Sequence, residues 1–304
     1  MSNLDKTCER DCTQRDSTGA VELIVEPKDT DLGGFSVRRV LPTRQRRKVG
    51  PWVFFDHMGP ATFAPGPGIN VRPHPHIGIA TVTYLFEGEI LHRDSLGSLQ
   101  PIRPGDINLM VAGRGIVHSE RERAEAITQP RVLNGLQLWL ALPESQEEIA
   151  PAFYHYPSKD IPQVQVGDVK VRVMMGSAYG VTSPVFLHSR TLYLEADIDT
   201  HQQLDLQDED ERAIYVVQGE LMVGHTIITE HCMAFFKAGE GVTIQATRNT
   251  RIALIGGETF NPRFMEWNFV SSRKERIAQA KDDWQQGHFD KVPGDEAEFI
   301  AYPS

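Results

Sequence analysis

Four side chains in this chain have the types and spacing of a metal site. His74 and His76 flank a proline, and His118 and Glu120 flank a serine. In an extended strand, residues i and i+2 face the same side. Each pair therefore presents two donors on one face of one strand. If the two strands are neighbours, all four converge. Three imidazoles and one carboxylate form a mixed nitrogen and oxygen set suited to a divalent transition metal. On a six-coordinate ion they leave two positions for water, substrate or O2, as in a catalytic rather than a closed structural site.

The elements that must carry these residues are strands. From residue 21 onward the chain runs in short apolar stretches bounded by Gly, Pro, Asp or Ser: 21–26, 51–60, 80–86, 107–112 and 136–142, then 169–176, 191–198, 213–224, 232–239 and 251–257. Their β-branched and aromatic content predicts an all-β sandwich or barrel. Tyr84-Leu85-Phe86-Glu87-Gly88-Glu89-Ile90 recurs 131 residues later as Tyr215-Val216-Val217-Gln218-Gly219-Glu220-Leu221. A turn follows each copy, at Pro104-Gly105-Asp106 and at Ala238-Gly239-Glu240. This repeat predicts two tandem antiparallel β-barrels of similar, jelly-roll-like architecture.

The domains are expected at 21–150 and 160–304, joined by the Pro-rich stretch within 142–161 and preceded by a flexible polar tail at 1–20. At 272–286, Ile277, Ala280 and Trp284 recur at helical spacing and predict a C-terminal helix. In the second domain the repeat puts Asp205 and Gln207 where His74 and His76 stand, and 246–249 where His118 and Glu120 stand. The metal is therefore expected in the first domain alone.

Composition limits the function further. The net charge of −10 argues against direct nucleic-acid binding, which rests on concentrated Lys and Arg. No apolar run is long enough to span a membrane. Three cysteines cannot build a disulfide framework, and the first 20 residues lack the apolar centre of a signal peptide. A cytoplasmic protein with a small-molecule partner is expected. Cys8 and Cys12 read as free thiols, and His201, His225 and His231 as surface or loop residues. His57 reads as a turn histidine, with a place beside the ligands as the alternative. His92 and Asp94, again i and i+2, read as a loop pair or as inward-facing. Phe54, Phe55 and Phe86 read as core. The basic run Arg44-Gln45-Arg46-Arg47-Lys48 reads as a solvated loop, with a partner contact as the alternative.

Gly68, His74, His76 and Gly88 resemble the first motif of the cupin superfamily, and Gly113, Gly115 and His118 resemble the second. The carboxylate of the first motif is replaced by Thr81, and Glu120 supplies one from the other strand, as in the pirin branch. Val49-Gly50-Pro51, Phe55-Asp56-His57-Met58-Gly59-Pro60 and His92-Arg93-Asp94-Ser95-Leu96-Gly97 are also pirin-like. The resemblance implies a bicupin with its metal on His74, His76, His118 and Glu120. Iron is the first expectation, and nickel, copper, manganese, cobalt and zinc are alternatives. It implies a quercetin 2,3-dioxygenase-like activity on a flavonol and O2, with Glu120 accepting the substrate's hydroxyl proton. A second implication is regulatory: the family includes an iron-bearing transcription co-regulator and bacterial modulators of metabolic enzymes, which makes a protein partner the alternative. A cupin isomerase or sugar-binding barrel fits less well, because such sites usually keep the carboxylate that Thr81 replaces.

Overall fold

Successive residues along the central strands sort onto opposite faces, and the fold follows from where each face is buried. In the strand Ile79–Glu87, Ala80, Val82 and Tyr84 enter one cluster while Ile79 and Leu85 enter two others. A computed structural model of the chain describes Lys6, residues 13–15, 19–31 and 36–303. Cys8, Cys12 and most of the expected tail lie outside the described residues.

Each half pairs one large sheet with one small one. The N-terminal seven-stranded sheet runs in the order Ala152–Tyr156, Ile107–Val111, Ile79–Glu87, Arg131–Ala141, Trp52–Phe63, Ser36–Leu41, Lys28–Asp31. It faces a four-stranded sheet of Val71–His76, Ile116–Arg121, Ile90–Asp94 and Leu99–Ile102. The C-terminal half repeats this. Its eight-stranded sheet is centred on Met233–Phe236, Glu211–Gln218, Thr250–Gly257 and Thr191–Ile198. Its four-stranded sheet holds Gln203–Asp205, Thr243–Ala246, Glu220–Val223 and Thr226–Thr229. The fold is all-β with two domains of similar layout, but the sheets do not close into the barrels that the sequence suggests. Each domain is a sandwich of two separately hydrogen-bonded sheets.

The two large sheets pack back to back. Val82, Tyr84, Leu136 and Leu138 from one share a cluster with Tyr193, Tyr215, Phe235 and Ile255 from the other. Each such aliphatic side chain contributes about 1.5–3 kcal/mol on burial. The repeat is real down to backbone conformation: Gly88 has φ +92° and Gly219 φ +93°.

Three assignments shift. Val21–Glu26, expected in the first domain, pairs with Met233–Phe236 in the C-terminal sheet. Ala152–Tyr156, within the expected linker, is an edge strand of the N-terminal sheet, paired with Ile107–Val111. The helix Lys274–Gln285 forms as expected, but it packs back toward the first domain, with Ile277, Ala280 and Trp284 meeting Ile77, Trp267 and Phe269. Among the described residues no helix is long and apolar enough to cross a membrane.

Candidate metal centre

The strand Val71–His76 lies at the edge of its four-stranded sheet. An edge suits Pro73 and Pro75, which have no N–H to give a ladder. The prolines take alternate positions, so His74 and His76 face the interior. In the neighbouring strand Ile116–Arg121, His118 lies opposite His74 and Ile116 opposite His76, and the register shifts between His118 and Glu120. The three histidines and Glu120 are all 1% exposed or less.

The donor atoms of His74, His76 and His118 lie within 4.8 Å of one another. Nε2 of His76 and Nε2 of His118 are 3.2 Å apart. Two nitrogen donors about 2.1 Å from one ion and at right angles stand about 3 Å apart, so this spacing fits a shared ion. Glu120, at the next inward position of its strand, stands outside this mutually close group.

Burial holds all three imidazoles far below the ordinary histidine pKa, so they are neutral. A neutral imidazole binds a metal through the nitrogen without the proton. Nδ1–H of His74 donates to the Arg72 carbonyl at 2.9 Å, which leaves Nε2 its lone pair. Nε2 of His74 has no hydrogen-bond partner among the described residues. His118 has a longer support. Its Nδ1 meets Nδ1 of His92 at 3.4 Å, and Nε2 of His92 meets Oδ2 of Asp94 at 2.9 Å. Burial disfavours the Asp94 carboxylate, but hydrogen bonds from His92 and Ser98 outweigh it and set its pKa below the usual value. The carboxylate keeps the His92 proton on Nε2. His92 Nδ1 is then an acceptor for His118 Nδ1–H, and His118 Nε2 is left for a metal. His92 also stacks on Phe153 at 4.3 Å and 14°.

His92 and Asp94 thus face inward, and Asp94 Oδ1 serves the loop as well, accepting from the N–H groups of Leu96 and Ser98. His57 sits in the strand Trp52–Phe63, away from the triad, bonded to Tyr215 and Asn134. Phe55 is core between the two large sheets, and Phe54 stacks on Trp139 at 4.0 Å. Trp139 is a site residue that the sequence reading missed: its ring meets His76 edge-on at 5.0 Å. Its only signal is inward alternation along Arg131–Ala141. In the basic run, Arg46 pairs with Glu22 and Lys48 with Glu211 at 2.5 Å, so both cations are engaged within the chain.

The C-terminal small sheet has the same layout with different chemistry. Arg121 lies opposite Leu91, and Gln245 lies opposite Met222, the repeat partner of Leu91. Val242 and Ile244 therefore correspond to His118 and Glu120, not residues 246–249. Leu206, whose N–H donates to the Val242 carbonyl, takes the place of His74, and Val223 that of His92. All four pack in one apolar cluster. The same alignment moves the repeated turn. Residues 230–232 precede Met233–Phe236 as 103–106 precede Ile107–Val111, and 238–240 match 113–115 instead.

Comparison with known proteins agrees with this layout. The family described as Pirin matches residues 34–140, and the Pirin C-terminal cupin domain matches residues 192–290. A pirin-like protein of Caulobacter vibrioides is 45% identical over 287 residues, covering 93% of this chain and 99% of that one. The crystal structure of quercetin 2,3-dioxygenase from Acinetobacter baumannii superposes with a TM-score of 0.87 at 32% identity, covering 94% of this chain and 95% of that one. The bacterial pirin YhhW of Escherichia coli, crystallised in complex with nickel(II), shares the fold at TM-score 0.60 and 17% identity, covering 77% of this chain and 96% of that one.

Proposed function

The chain belongs to the pirin family of two-domain cupins, and from that premise we propose that it is a metal-dependent dioxygenase that opens the central ring of a flavonol such as quercetin with release of carbon monoxide. The observation that carries this reading is the convergence of three neutral, buried imidazoles on one point. The quercetin 2,3-dioxygenase likeness supports the reaction type.

His74, His76 and His118 hold the ion, with iron as the first assignment. An ion held there would supply Lewis acidity toward the flavonol 3-hydroxyl. The protein's own work is to hold, orient and move a proton. Arg72 and the His92–Asp94 pair fix the ligand tautomers. Glu120, on the strand of His118, takes the 3-hydroxyl proton on a carboxylate oxygen. Trp139, edge-on to His76, bounds the site with an apolar surface and keeps water from it. The chain acts in the cytoplasm on a small aromatic substrate.

The test is metal analysis of the purified protein together with quercetin absorbance loss and carbon monoxide release. About one bound metal per chain, with both the metal and turnover lost in His76→Ala, is the expected result. Bound metal without turnover after reconstitution with iron, nickel, copper, manganese and cobalt overturns the dioxygenase reading. Absence of metal from every preparation overturns the site.

A further inference from the structure

The interior wall facing the histidines is polar where a sandwich core should be apolar. Across six adjacent strands of the large sheet, His155 lies opposite Asn108, Asn108 opposite Thr83, Thr83 opposite Gln137, Gln137 opposite Asp56, and Asp56 opposite Arg39. These residues form one lateral row, and all but His155 are 5% exposed or less. Alternation puts them on the inner face, since their neighbours Leu109, Val82 and Leu138 enter the cluster between the two large sheets.

Most of the row is paired within itself. Arg39 holds Asp56 through two bonds of 2.8 and 2.7 Å. Thr83 Oγ1–H donates to Gln137 Oε1 at 2.9 Å, and His155 Nδ1 meets Asn108 Oδ1 at 2.9 Å. Two amide groups are left over. Asn108 Nδ2 and Gln137 Nε2 have no acceptor among the described residues, and neither has Trp139 Nε1 one row away. Buried N–H donors without acceptors are costly, and native interiors rarely keep them without a reason.

The row lies level with the metal strands. Trp139 and Ile116 share one apolar cluster on one side of the polar layer, and Leu85, Leu133, Ile90 and Val71 share another on the other side. His118 and Glu120 follow Ile116 along their strand just as Gln137 precedes Trp139 along its own. The polar side chains of both sheets thus occupy the same layer between two apolar caps.

The second domain shows that the fold does not need this row. Its corresponding row runs Ile24, Ala234, Ile214, Leu254, Leu194 and Val173, each opposite the next. Through the Tyr84–Tyr215 repeat, Ile214 stands for Thr83, Leu254 for Gln137, Ala234 for Asn108, Leu194 for Asp56 and Val173 for Arg39. All six pack in one apolar cluster, in the domain whose ligand positions are also aliphatic. Polar row and histidine triad occur together in one domain and are absent together from the other, among the described residues.

We propose that Asn108 and Gln137 form the recognition wall of the metal site, donating their free amide N–H groups to acceptor oxygens of the ligand held by the triad. Trp139 Nε1–H adds a third donor at the rim. Neutral donors of this kind select a flat, oxygen-rich molecule with at least two carbonyl, enolate or phenolate oxygens. The inference rests on the metal-site reading above and adds the groups that read the substrate.

The test uses full-length protein loaded with metal, without oxygen, titrated with quercetin and with maltol, which carries the same hydroxy-enone on one ring. Thr83→Val/Gln137→Leu removes both members of one pair and imitates Ile214 and Leu254. Asn108→Leu is the second variant. Both are expected to keep wild-type metal content and melting temperature and to bind the probes at least tenfold more weakly. Variant affinities within twofold of wild type overturn the proposal. Wild-type binding of maltol but not quercetin overturns the flavonol reading and leaves the wall to be judged on maltol. Binding of neither probe by the wild-type holoprotein overturns both.

Discussion

Tyr215 of the C-terminal domain donates its hydroxyl hydrogen to Nδ1 of His57 in the N-terminal domain across 2.9 Å. On the other side of the ring, Nε2–H donates to Asn134 Oδ1 at 2.8 Å. The ring is a neutral tie between the domains, and burial lowers its pKa from 6.5 to about 3. Between those two values the unfolded chain binds the proton that the folded chain refuses. Stability therefore falls as pH drops from 6.5 toward 3, by up to about 5 kcal/mol from this residue. Urea unfolding at pH 7 and pH 4 should show a clearly smaller acid loss for His57→Gln than for wild type. Equal losses would remove His57 as the cause.

Glu195 acts in the opposite sense. Its carboxylate is buried between Tyr193, which donates to it at 2.9 Å, and Tyr84, which in turn accepts from Arg172 at 3.0 Å. Burial outweighs these partners and raises its pKa from 4.5 to about 7. The folded chain holds this proton more tightly than the unfolded one. The stabilisation is complete below pH 4.5 and is lost as pH rises through 7, at most about 3 kcal/mol. Glu195→Gln should match wild type near pH 5 and exceed its melting temperature at pH 8. A variant no more stable than wild type at pH 8 would refute the assignment.

The pairs His74/His76 and His118/Glu120 were legible because a strand puts i and i+2 on one face, so two short motifs announced the three histidines that converge, while Glu120 stands outside their group. The helix was legible from its periodicity, and the longer central strands from their β-branched and aromatic runs. Non-local pairing was not. Nothing within Val21–Glu26 says that its partner is Met233–Phe236, more than two hundred residues away. The repeat was legible at Gly88 and Gly219, where backbone conformation demands the residue, but its register slipped beyond them because the second copy has shorter turns and strands. The row from Arg39 to Asn108 takes one residue from each of five strands, so no local pattern announces it. Asn108 and Gln137 become visible only when the sheet lines them up.

Asp94 reaches the candidate metal ligand His118 through the His92 imidazole. Asp94→Asn keeps acceptor capacity toward Leu96 and Ser98 but weakens the preference for the His92 tautomer that supports His118. Metal affinity should fall about 10- to 100-fold, read by competition with a chromophoric chelator, while the unfolding midpoint shifts little. Unchanged affinity would confine Asp94 to its loop.

Gly88 turns the chain from Ile79–Glu87 into Ile90–Asp94, the strand that presents His92 and Asp94. Its φ of +92° is one that side chains rarely adopt, and a Cβ there would lie 2.4 Å from the Val132 carbonyl oxygen and 3.2 Å from Leu133 Cα. Both contacts are backbone in the adjoining strand, so neither can swing aside. Gly97 has a similar φ of +86° but open space around it. Strain alone costs of order 1 kcal/mol, and the clash adds to it at Gly88 only. Gly88→Ala should destabilise the protein by about 3 kcal/mol, within the usual range for a strained, over-determined backbone position. Gly97→Ala should cost about a third of that. Because the turn sets the height of His92 beneath His118, Gly88→Ala should also weaken metal binding while Gly97→Ala leaves it unchanged. Thermal melts with and without metal separate the two effects, since a displaced His92 reduces the metal-dependent rise in melting temperature in the first variant alone. An equal rise in both would show that the turn supports the fold but not the site.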